Sequence, residues 1–143
     1  MASFLYLSYL TKLLNGGGVD LDTDTIRMML LDDTYVPDQD AHDFKNDLSG
    51  EIAGLGYTAR GMALADKTIT QDDTNNRTVW DATDVSWPAS TLTARYAVLY
   101  KDTGVDSTSP LIALIDFGEN KSTSISTFTV PFNTDGILRA SIV

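Results

Sequence analysis

Arg95-Tyr96-Ala97-Val98-Leu99-Tyr100-Lys101-Asp102-Thr103-Gly104-Val105-Asp106-Ser107-Thr108-Ser109-Pro110-Leu111-Ile112-Ala113-Leu114-Ile115-Asp116-Phe117 sets two short apolar runs on either side of a polar connection. Runs of this length around turn residues read as antiparallel strands, not helices. In the connection Asp102 and Ser107 are suited to bond their own backbone, and Gly104 tolerates positive φ. Pro110 has no N–H for a ladder and belongs at the start of a strand. Neither run alternates cleanly, so both faces of this hairpin are expected to be covered. The fold class that follows is mainly β: an antiparallel β-sandwich or small barrel built around this pair.

Working outward, 143 residues suit one β-rich domain, 1–143, with enough chain to bury its own core. The chain has no cysteine, which removes disulfides and thiolate metal sites, and its one histidine, His42, leaves no histidine-based metal cluster. Twenty acids against ten bases give a net charge of −10. Such a surface is repelled by phosphate backbones, so no direct nucleic-acid partner is expected. The excess is uneven. Residues 1–50 carry nine Asp against Lys12, Arg27 and Lys45, while residues 109–143 carry three acids against Lys121 and Arg139. One end is therefore expected to face solvent and the other to be covered. No apolar run approaches the roughly 20 residues of a membrane span, so no membrane partner is expected. The first residues lack the basic start and cleavage site of a signal peptide.

Upstream, Phe4, Leu7, Leu10, Leu13 and Leu14 recur at the three- and four-residue steps of a helix's apolar stripe, which Gly16-Gly17-Gly18 terminates. An N-terminal helix packed on the sheet is the ordinary reading; a helix offered to a partner is the other, and a strand is a third. Asp20-Leu21-Asp22-Thr23-Asp24 imitates the start of a calcium loop. Thr25 stands where such a loop needs Gly and Leu31 where it needs Glu, so a solvated loop bonded to its own backbone is the better reading. Thr25 to Leu31 reads as a buried strand. Pro37, with Asp38 and Asp40 after it, suggests a short loop helix. His42 among these Asp reads as a surface histidine, and no nucleophile sits in a recognisable elbow. Gly54-Leu55-Gly56 lacks the rest of a phosphate loop and reads as a turn.

Trp80 lies in the strand-like run Thr78–Ala82, and Trp87 in Val85-Ser86-Trp87, which is expected to stop at Pro88. Burial is the common fate of such rings; with Tyr57 nearby, a glycan-stacking platform is the alternative. Pro131 places Thr127–Phe132 at a sheet edge or strand end. Ile137–Val143 is apolar at a terminus, and either completes a sheet or docks on a neighbour.

Taken together, Leu14-Asn15-Gly16, Asp22–Leu31, Tyr35-Val36-Pro37, Ala41–Phe44, Gly61–Thr68, Tyr96–Gly104 and Ser109–Asp116 follow one another in a familiar order. Over residues 4–140 this order resembles a widespread group of tailed-bacteriophage structural proteins. The resemblance implies a virion component: a capsid decoration (cement) protein on the outside of the head, with the major capsid protein as partner. The alternative is a tail or head-fibre component with a glycan-binding role. It implies no catalytic residues and no cofactor, and a non-enzymatic, oligomeric protein, with a trimer favoured. Candidate contact surfaces are the apolar ends, 2–14 and 137–143, through Phe4, Leu7, Leu10, Ile137, Leu138 and Ile142, with Trp80 and Trp87 as the weaker glycan candidates.

Overall fold

The computed structural model describes residues 2–142. Met1 and Val143, the last position of the expected 137–143 contact segment, lie outside the described residues. In chain order the described residues form β1 (Phe4–Leu5), helix α1 (Leu7–Leu14), β2 (Ile26–Leu31), β3 (Met62–Ala63), β4 (Thr68–Asp72), β5 (Arg77–Asp81), β6 (Val85–Ser90), β7 (Thr93–Lys101), β8 (Leu111–Ser122), β9 (Ser126–Val130) and β10 (Leu138–Ala140). All strand pairs are antiparallel.

The hairpin read first is the centre. Strands β7 and β8 pair through Val98↔Leu114 and Leu99↔Ala113, and the largest sheet runs β1-β8-β7-β2-β3. Alternation in β2 and β7 divides the core. Ile26, Met28, Leu30, Ala97 and Leu99 point to one face, where Trp80, Val85, Trp87, Phe128 and Val130 from β5, β6 and β9 pack on them. Met29, Leu31, Tyr96, Val98 and Tyr100 point to the other, and Tyr6, Tyr35 and Leu48 close over that side. Both faces are covered, which is why neither run alternates in hydrophobicity. The sheets β10-β5-β4 and β6-β9 form the second layer of a β-sandwich-like fold, and the described residues form no closed barrel.

Helix α1 forms where its periodicity places a helix, but it buries a different face. Tyr6 and Tyr9 are buried and Leu10 is half-buried, whereas Leu7 is 44% and Leu14 86% exposed. The rings carry more apolar area than leucine, so they take the sheet-facing positions. The loop helix is also displaced. Residues after Pro37 make turns in which Asp38 Oδ1 accepts from the Asp40 and Ala41 amides, and the 3-10 turn lies at Lys45–Asp47 instead.

Strand β6 does not stop at Pro88. Trp87 pairs with Phe128 and Ser90 with Ser126, so Pro88 and Ala89 together face Thr127 in a bulge, where no ladder donor is required. In the 102–110 connection, Asp102 caps the Gly104 amide as expected, but Ser109, not Ser107, bonds the backbone, donating to the Val105 carbonyl at 2.8 Å. Strand β9 ends at Val130, just before Pro131.

Candidate functional site

Three arrangements concentrate the molecule's chemistry. The first is an apolar groove of about 430 Å³. Its wall on one side is β1 laid on β8, Phe4 opposite Leu114 and Leu5 opposite Ala113. On the other side the chain from Pro131 to Leu138 turns back over β5. The Phe132 amide donates to Asp84 Oδ1 at 2.8 Å, and the Ile137 amide to the Trp80 carbonyl at 2.8 Å. Gly136 makes that return possible: its φ is +102°, and a Cβ there would overlap the Val79 side chain. Phe4, Leu5, Ile115, Phe132, Ile137 and Leu138 line the groove, and none of its lining residues is charged. A second hollow of about 290 Å³, between Phe117, Lys121 and Phe128, shares Pro131 with it.

Three of the six expected contact residues, Phe4, Ile137 and Leu138, thus meet at one place, joined there by the two ends of the chain. The others do not. Leu10 packs against the core, Leu7 lies on the outer side of α1, and Ile142, 96% exposed, lies beyond β10. Trp80 and Trp87 are 3% and 1% exposed, so both indoles belong to the core and neither face is open to a sugar. Trp80 Nε1 donates to the Leu21 carbonyl.

The second arrangement is an ion cluster at the far end of β7. Asp102 accepts from Arg60 Nη2 at 2.5 Å and lies 2.7 Å from Arg27 Nε. Asp106 receives Arg60 Nη1 at 2.6 Å and Lys45 Nζ at 3.1 Å. Arg60 itself is held at a φ of +76°. Its amide donates to Glu51 Oε1 at 2.6 Å and its carbonyl accepts the Tyr100 hydroxyl at 2.6 Å. Hydrogen bonds from Arg60 hold the Asp102 carboxyl down at about 2, against the opposing cost of burial. Asp102 and Asp106 are committed to cations, and the cluster braces the loops that carry Lys45, Arg60 and Asp102–Asp106. Sequence reading missed it, although one signal was present: Arg27 is the lone charge in Ile26–Leu31, and a charge inside a buried strand needs a partner.

The third is a chain of hydroxyls. Tyr6 Oη and Tyr35 Oη lie 3.0 Å apart, and Tyr35 Oη lies 2.7 Å from His42 Nδ1. His42 is therefore half-buried and bonded, where sequence reading made it a surface residue. Paired carboxylates are another arrangement for acid–base work, and in sequence Asp40 with Asp43 and Asp72 with Asp73 are the pairs available. Asp72 is occupied by Asn75 and Arg77, Asp73 by the Gln71 amide, and Asp43 faces Asp47, not Asp40. Asp20 and Asp24 are taken up by backbone amides of their own loop, as the solvated-loop reading requires. Among the described residues no three or more His, Asp or Glu side chains are grouped to hold a metal ion. No helix among them is long and apolar enough to cross a membrane.

Comparison with known proteins returns no matching family model, no matching curated protein and no matching solved structure.

Proposed function

We propose that this chain is a structural protein of a tailed-phage particle, a decoration (cement) protein that binds the outside of the capsid and braces the joints between major capsid subunits. The observation that carries the reading is the groove: an apolar, uncharged surface formed by both ends of a chain whose net charge is −10. Interface centres are depleted in charge because burying an unpaired ion is costly, while the rim tolerates it. The acidic remainder keeps particles apart and disfavours a place against packaged DNA. Homotrimers at local three-fold positions would turn modest contacts per copy into firm attachment.

The test is to add purified protein to capsids lacking it, sediment the particles and image them. Density on the outer capsid surface at symmetry-related joints supports the reading. Density on the tail or head fibres replaces it with the fibre alternative, and no association at all ends it.

A further inference from the structure

We propose that Tyr6, Tyr35 and His42 form a proton-gated latch: neutral His42 holds the 35–43 loop closed over the junction of β1 and α1, and protonated His42 releases it. The latch does not depend on the proposed function.

Counting hydrogens fixes the direction of the chain. Tyr6 is fully buried and Tyr35 nearly so, and among the described residues Tyr35 is the one partner of the Tyr6 hydroxyl. Burial pushes both phenols up, so each keeps its hydrogen. The two hydrogens are both satisfied only in the order Tyr6 O–H to Tyr35 O–H to His42 Nδ1, which requires a bare Nδ1 lone pair. A protonated imidazole brings a third hydrogen to the same two contacts. One buried donor is then left without an acceptor, and the cost falls on the closed state alone.

The latch joins the 35–43 loop to the junction of β1 and α1, beside other ties of that loop: the Asp43 carbonyl accepts the Leu111 amide of β8 at 2.9 Å, and Tyr6 and Tyr35 share one core cluster. On the loop side, the Gln39 carbonyl accepts the Leu7 amide at 3.2 Å, and Gln39 Nε2 donates to the Leu5 carbonyl at 2.8 Å. On the sheet side, β1 pairs with β8 at only two positions, and the Tyr6 amide donates to the Ile112 carbonyl. Opening the loop therefore loosens the wall of the groove that carries Phe4 and Leu5.

Several charges face this site. Asp38 and Asp47 attract an imidazolium, but their hydrogen-bonding oxygens already accept amides: Asp40 and Ala41 for Asp38, Asp43 and Phe44 for Asp47. Lys12 of α1 sits over the Phe44 ring and acts on Asp43. Tyr96 of β7 packs edge-on against Tyr35. Asp43, its carboxyl held above the ordinary range by burial and by Asp47 beside it, is the competing titrating group.

The test is amide exchange on the whole chain, expressed as protection factors corrected for intrinsic rates. Between about pH 8 and pH 5.5, the window in which histidine titrates, protection of the Leu7 amide should fall about ten-fold. Val98 in β7 should stay protected. His42→Gln, which offers an acceptor that does not protonate in this range, should hold Leu7 protected at both pH values. Tyr35→Phe should lose the protection at both. A flat wild-type profile, a fall shared by Val98, or a fall that persists in His42→Gln would overturn the latch. The wild-type profile decides the matter even where a variant fails to fold.

Discussion

Gly61 lies flat against β2, with a φ of +77°, and a Cβ built on it would overlap the Met28 carbonyl oxygen. That carbonyl belongs to the sheet and cannot swing away. Gly104 has a similar φ, +85°, but open space around it. The pair separates two costs that sequence alone merges. Gly104→Ala should lose about 1 kcal/mol, the cost of positive φ. Gly61→Ala should lose about 3 kcal/mol or more, because a clash is added to the same strain. Urea denaturation midpoints measure both, and equal losses would mean that the approach to Met28 relaxes. Gly104 was legible as a turn residue because its neighbours Asp102 and Thr103 are turn formers. Gly61 was legible only as one of three nearby glycines, since the strand it touches lies more than thirty positions away.

Helix α1 and the 102–110 connection make the same point for whole elements. The periodicity of Leu7, Leu10, Leu13 and Leu14 located the helix correctly, but it could not choose the face, which depends on what the sheet offers. Tyr9→Ala should cost about 3 kcal/mol, near the loss for other buried rings. Leu14→Ala should change stability by no more than about 0.5 kcal/mol. Reversed magnitudes in thermal unfolding would restore the leucine face. Deleting residues 2–14 would strip Tyr6 and Tyr9 from the core, so it would measure stability and not attachment. In the connection, the turn was readable but its anchor was not, because Arg27, Lys45 and Arg60 reach it from three other parts of the chain. The Asp102 carboxyl, with an ordinary value of 3.8, is lowered to about 2 in the fold. Its contribution is therefore present above about pH 4 and is lost as pH falls toward 2. About 2 kcal/mol should disappear over that interval. Asp102→Asn should abolish that part of the acid dependence and lower stability at pH 7 by a similar amount. An unchanged acid profile in the variant would remove Asp102 from the account.

For the molecule as a whole, the fold was legible because its central hairpin is local, while the groove was not, because it is made where the two chain ends meet. Phe4 and Ile137 are 133 positions apart, and only the turn of β1 onto β8 and of 131–138 over β5 brings them together. Each was flagged for being apolar near a terminus, a criterion that also selected the core residue Leu10 and the outlying Ile142. The groove and the outer face of α1 are therefore rival candidates for the contact surface of the proposed role, and charge tells them apart. Phe132→Lys places an ammonium in the uncharged groove, where a docked partner would have to desolvate it; Leu14→Lys places one on an exposed helix end. Leu14 is 86% exposed, so Leu14→Lys should change stability by no more than about 0.5 kcal/mol; Phe132 is half-buried against the core, so Phe132→Lys should cost about 1–2 kcal/mol, and binding is compared where both variants stay folded. On the proposed decoration role, capsid binding should fall at least about ten-fold for Phe132→Lys, the effect of roughly 1.4 kcal/mol per copy, and hold for Leu14→Lys. Multivalent attachment would enlarge the first effect, since a loss at each copy is repeated across the assembly. Binding through an apolar centre should also survive a rise in salt, because screening weakens only interactions between exposed charges. Attachment abolished by Leu14→Lys yet retained by Phe132→Lys would move the docking surface from the groove to the helix.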